Sequence, residues 1–66
     1  MNITEFTPGE QAVIEELKKG KSNAEIAESL GIGTGTVRTH LRSIFRQAGV
    51  GSRTMLLVKL MSDKKE

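Results

Sequence analysis

The chain contains no cysteine, which removes both a disulfide framework and a thiolate metal site as sources of stability. Its single histidine, His40, has no second imidazole or thiol with which to share a metal ion. Packing or hydrogen bonding beside an apolar helix face is therefore the expected use of that ring. Long hydrophobic runs are missing too. The longest, Met55 to Val58, is far too short to cross a bilayer, and the first residues lack the charged-then-apolar pattern of a secretory signal. A cytoplasmic protein without membrane partners is expected. Paired carboxylates, a nucleophile with its base, a glycine-rich phosphate loop and a metal-ligand cluster are all absent from the sequence. With only 66 residues there is little material to wall off a reaction pocket. Neither an enzyme nor a cofactor is expected.

What is present is one domain's worth of chain, residues 1–66, with a thin core: a domain this small buries only roughly 60% of the surface its unfolded chain exposes. The net charge of +2 is modest, but its distribution is not even. Up to Glu28 there are six glutamates (Glu5, Glu10, Glu15, Glu16, Glu25, Glu28) against three lysines (Lys18, Lys19, Lys21). From Ser29 to Ser62 there are five cations, Arg38, Arg42, Arg46, Arg53 and Lys59, and no acid. The second half therefore reads as a basic face suited to a polyanion.

Caps and periodicity predict four helices and no sheet. Thr7-Pro8-Gly9-Glu10 is a capping box with proline at the first helical position, and Val13, Ile14 and Leu17 follow at helical spacing before Gly20. Helix one is expected from Pro8 to Lys19. Ser22-Asn23-Ala24-Glu25 is a second capping box; Ile26, Ala27 and Leu30 form a narrow apolar face that Gly31 ends, giving helix two from Asn23 to Leu30. Val37, Leu41, Ile44, Phe45 and Ala48 then recur at helical spacing and place helix three from Thr34 to Ala48. Gly49 stops it, Ser52 serves as the next N-cap, and helix four runs from Arg53 to Ser62. The charged tail from Asp63 to Glu66 is expected to fray. No repeat, linker or low-complexity tract interrupts the chain.

The junction of helices two and three carries the signal. A helix-turn-helix requires a turn residue that tolerates positive φ and small side chains where the helices cross. Gly31 meets the first demand and Ala27, four residues earlier, the second. Val37, six residues after the glycine, returns an apolar group to the crossing. The run Ser22 to Ala27, then Leu30-Gly31-Ile32, Thr36 to Leu41, Ala48-Gly49-Val50 and Ser52-Arg53 resembles, in order and spacing, the LuxR-type (GerE-like) helix-turn-helix domain of bacterial transcription regulators. The resemblance implies an all-α, four-helix domain whose third helix reads the major groove of DNA and whose fourth pairs two copies. Its implied partners are double-stranded DNA, a second copy of the chain and RNA polymerase. Gly9, Gly33 and Gly35 depart from the family pattern, and the last two weaken the start of helix three.

At about 100° per residue, Gly35, Thr39, Arg42, Ser43 and Arg46 fall opposite the apolar stripe of helix three, with Arg38 at its edge. Arg38 and Arg42 are candidates for base readout because a guanidinium donates twice to guanine O6 and N7, and Thr39 between them offers a methyl and a hydroxyl. On an isolated helix the same arginines would only solvate an exposed face; the surrounding motif favours readout. Lys21, Ser22 and Asn23 at the start of helix two, with Thr36 and Arg46, are candidates for DNA phosphate. Ser22 has a competing duty as an N-cap. On helix four, Leu56, Leu57 and Leu60 are expected to close the core, leaving Thr54, Met55, Val58, Met61 and Ser62 as a dimer interface. A truncated regulator that only pairs with a longer relative through helix four is the alternative function.

Overall fold

A computed structural model describes residues 5–62. The predicted fraying of the tail concerns residues outside that range. The described residues form α1 (Pro8–Lys18), α2 (Asn23–Leu30), α3 (Thr34–Ala48) and α4 (Arg53–Ser62), with no strand among them. The four expected helices are all there, and α1 ends one residue earlier than expected. Lys19 is its C-cap, and the positive φ of +83° falls on Gly20, one residue beyond.

Each boundary has a local cause. Thr7 and Ser22 both form reciprocal capping boxes, with Glu10 and Glu25 respectively. Ser52 Oγ accepts from the Met55 N–H at 3.2 Å and starts α4. Gly33 caps α3 without a side chain, and its carbonyl accepts from the Thr36 and Val37 N–H groups, both at 3.1 Å. The turn from α2 to α3 rests on Gly31 at φ 69°, ψ 34°, a left-handed conformation that a Cβ would disfavour. That turn lets the Ile32 N–H bond back to the Ala27 carbonyl at 3.0 Å, closing α2 as a Schellman motif.

The helices enclose one core of Phe6, Val13, Ile14, Leu17, Ile26, Ala27, Val37, Leu41, Ile44, Ala48 and Leu56. Leu30, Ile32, Phe45, Val50, Leu57 and Leu60 pack against it half-buried. Ala27 and Val37 are both buried at the α2–α3 crossing, as the spacing required. Phe6 is the core residue that periodicity overlooks, because it precedes the first helix. It occupies the position before an N-cap where an apolar group often pins the incoming chain, and its carbonyl accepts from Gln11 Nε2 at 2.8 Å.

Among the described residues one charged side chain lies inside. Glu10 is only 5% exposed, and no cation partners it among the described residues. Its carboxylate instead accepts from the Thr7 N–H at 3.1 Å and from Gln47 Nε2 at 3.2 Å, joining the start of α1 to the end of α3. Burial pushes this carboxyl up, but hydrogen bonds from Ser43, Thr7 and Gln47 outweigh it and hold the pKa below the usual value. Nearby, a Cβ at Gly9 would sit 3.1 Å from His40 Cε1. Gly9 thus gives the His40 ring room against α1, and His40 is a half-buried packing residue, as expected.

Candidate nucleic-acid interface

On α3 the separation of faces is sharp. Val37, Leu41, Ile44 and Ala48 are buried, whereas Thr34, Gly35, Thr36, Arg38, Thr39, Arg42 and Arg46 are exposed. Among the described residues, none of the guanidiniums of Arg38, Arg42 and Arg46 enters an ion pair. These side chains are therefore available to an external acceptor. Thr39 is less open than expected: its hydroxyl donates to the Gly35 carbonyl at 3.0 Å. The hydroxyl proton is occupied, leaving the methyl group and the oxygen lone pairs facing outward.

The other expected contacts are placed more variously. Ser22 Oγ accepts from the Glu25 N–H at 3.2 Å, so capping occupies it, and the returning bond from the Ser22 N–H to Glu25 holds that carboxyl below its usual pKa. Lys21 lies beside it, but its ammonium donates to Glu16 and, at 2.9 Å, to Ser29 Oγ. The bond from Lys21 to Glu16 and a second from Lys19 lower the pKa of Glu16. The three lysines of the acidic half are thus all committed to glutamates of α1, Lys18 to Glu15 and Lys19 and Lys21 to Glu16. Asn23 is half-buried and accepts from Arg53 through Oδ1.

The basic half does not form one continuous face. Arg38, Arg42 and Arg46 line the outside of α3, but the other two cations tie α4 to the body. Arg53 Nη1 donates to Asn23 Oδ1 and Nη2 to the Lys21 carbonyl, both at 2.9 Å. Lys59 Nζ donates to the Ala48 carbonyl at 2.7 Å, capping the negative end of α3. Sequence reasoning missed this use of Arg53. A signal existed, since a cation in the first turn of a helix opposes the helix dipole and implies a compensating partner elsewhere.

Between the starts of α2 and α4 and the middle of α3 lies an open depression of about 350 Å³, lined by Asn23, Arg38, Leu41, Arg42, Phe45 and Arg53. Among the described residues no carboxylate lines it. Away from it, α4 buries Leu56 and half-buries Leu57 and Leu60, as expected. Met55, Val58 and Met61 are 54%, 53% and 69% exposed on its other side, together with exposed Thr54 and Ser62. Among the described residues, no helix is long and apolar enough to cross a membrane, and no cluster of His, Cys, Asp or Glu has the makings of a metal site.

Comparison with known proteins places this geometry. The family model described as bacterial regulatory proteins, luxR family, matches residues 4–60. The transcriptional regulatory protein ComA of Bacillus subtilis (strain 168) is 39% identical over 58 residues, covering 88% of this chain and 27% of that protein. The putative HTH-type transcriptional regulator YhjB of Escherichia coli (strain K12) is 39% identical over 59 residues, 89% of this chain and 30% of that protein. The CsgBAC operon transcriptional regulatory protein of the same organism is 44% identical over 49 residues, 74% of this chain and 23% of that protein. The chain thus spans less than a third of the length of these relatives. No solved structure gives a significant match. These relatives are regulators rather than enzymes, and the chain belongs to the luxR family of bacterial regulatory proteins.

Proposed function

We propose that the chain is a sequence-specific binder of double-stranded DNA that regulates transcription in the cytoplasm, with α3 entering the major groove. The observation that carries this reading is the outer face of α3, where three guanidiniums that enter no ion pair among the described residues stand opposite the buried side chains of Val37, Leu41, Ile44 and Ala48. Arg38 and Arg42, one helical turn apart, read guanine edges, and the Thr39 methyl contacts thymine. Arg46 and Thr36 hold phosphates at the two ends of the same face, and the start of α2 holds a third through Asn23 and nearby backbone N–H groups. Lys21 and Ser22 contribute less, since Glu16 and Glu25 already engage them.

The exposed strip Met55, Val58 and Met61, flanked by Thr54 and Ser62, pairs two copies through α4. Two-fold pairing sets the recognition helices about 34 Å apart and matches a pseudo-palindromic site with half-sites one DNA turn apart. A regulator of this kind also has RNA polymerase as a partner at the promoter.

A gel shift with the purified chain on random-sequence duplex tests the reading. Complexes are expected at low salt and should weaken steeply as salt rises, with a selected subset of sequences surviving longest. Failure on every duplex at low salt, with pairing to a longer family member retained, would establish instead an interaction module that acts through α4.

A further inference from the structure

We infer that Arg53, together with Asn23, forms a phosphate seat for the DNA backbone that lies off the recognition helix; this rests on the DNA-binding reading above. Arg53 opens α4, where a cation is disfavoured by the helix dipole. Its position is nevertheless fixed by two bonds, to Asn23 Oδ1 and to the Lys21 carbonyl, both at 2.9 Å. Both bonds join the start of α4 to the start of α2.

The chemistry of the pair follows from its donors. Guanidinium has five N–H donors and no acceptor, so the Asn23 amide must present Oδ1 to it. The amide's acceptor is thereby occupied, while its two Nδ2 protons have no partner among the described residues. Arg53 retains further N–H donors of its own. The outward side of the pair is consequently donor-only and positively charged, which matches an acceptor-only oxyanion. Arg53 thus holds Asn23 in the orientation that suits phosphate and adds the charge that Asn23 lacks.

The location selects the source of that phosphate. Asn23 and Arg53 rim the same depression as Arg38 and Arg42, over a floor of Leu41 and Phe45. A duplex that brings base edges to Arg38 and Arg42 lays its sugar-phosphate backbone along this rim. The seat therefore fixes the register of α3 in the groove without reading sequence.

The decisive variant is Asn23→Asp. A carboxylate keeps an acceptor for Arg53, and an acid suits the start of α2, so the melting temperature should hold or rise. The same change removes the amide donors and neutralises the guanidinium. Affinity for random duplex and for a selected site should fall together, by about tenfold, since charge-assisted hydrogen bonds are lost. The salt dependence should flatten by about one phosphate contact. Arg53→Ala should reproduce both DNA effects and also lower the melting temperature. If Asn23→Asp bound both duplexes as tightly as the parent, with the same salt slope, the seat would be wrong while the DNA-binding reading stood. An equal fall of melting temperature and affinity in Asn23→Asp would reduce the pair to a structural tie and also overturn the seat. A parent chain that binds no duplex at low salt would overturn the DNA-binding reading, and the seat with it.

Discussion

Helices α3 and α4 each bury one side and leave the other open, but they expose opposite chemistries. On α3 the open side carries Arg38, Thr39, Arg42 and Arg46. On α4 it carries Met55, Val58 and Met61, each more than half exposed. A charged open face is stable in water and gains from meeting phosphate. An apolar one gains from meeting its own kind. Two neighbouring helices on one core thus expose faces of different chemistry. The two cations of α4 are each tied to a neighbouring element, half-buried Arg53 to the start of α2 and exposed Lys59 to the last carbonyl of α3.

The comparison can be broken most severely at the support both helices share. Ile44, on the inner side of α3, is fully buried, and Ile44→Ala should cost about 2–5 kcal/mol. A domain of this size has only a few kcal/mol in total. Urea titration should show the midpoint collapse, and DNA binding and self-association should be lost together. An unshifted midpoint would mean that α3 does not rest on this core.

Acid provides a second test, because it acts on the half of the chain that carries the glutamates. Glu10, Glu16 and Glu25 all have pKa values held below the usual range in the folded chain. A group depressed in this way contributes its full stability above its unfolded value, about 4.3, and loses it as pH falls through the folded value. Chemical denaturation at a series of pH values should therefore show stability flat above about pH 5 and declining below about pH 4. Glu10→Gln should flatten that decline. A stability that rises on acidification would contradict the hydrogen-bonding assigned to these carboxylates.

The smallest effect on folding is expected at the centre of the apolar strip. Val58→Lys should change the stability of the single copy by no more than about 0.5 kcal/mol, since the residue is exposed. Sedimentation should nevertheless show self-association abolished, and binding to a two-half-site duplex should drop to that of a single half-site. Unaltered self-association would move the pairing surface elsewhere.

The fold was largely legible in the sequence because its boundaries are set by local chemistry. Two capping boxes, three helix-ending glycines and an uninterrupted 3.6-residue period on α3 each act within a few residues. Phe6 escaped because it lies before the first helix, outside any period. The candidate site was legible only in part. Arg38, Arg42 and Arg46 could be placed because a single helix sets their common face. The commitments of Arg53 to Asn23 and of Gln47 to Glu10 are long-range pairings, and those of Lys21 to Glu16 and Ser29 cross a helix end, so helical spacing encodes none of them. Charge counted along the chain therefore did not show that two of the five cations in the second half, Arg53 and Lys59, also tie α4 to its neighbours.

Site selection from random duplexes, run in parallel on the parent and on Arg42→Ala, tests most directly whether the open face of α3 reads bases. The parent should enrich a two-fold symmetric site. Arg42→Ala should bind that site about 1–3 kcal/mol more weakly and lose its preference at one base pair in each half. Enrichment of the same site by both proteins, with equal affinity, would contradict the account.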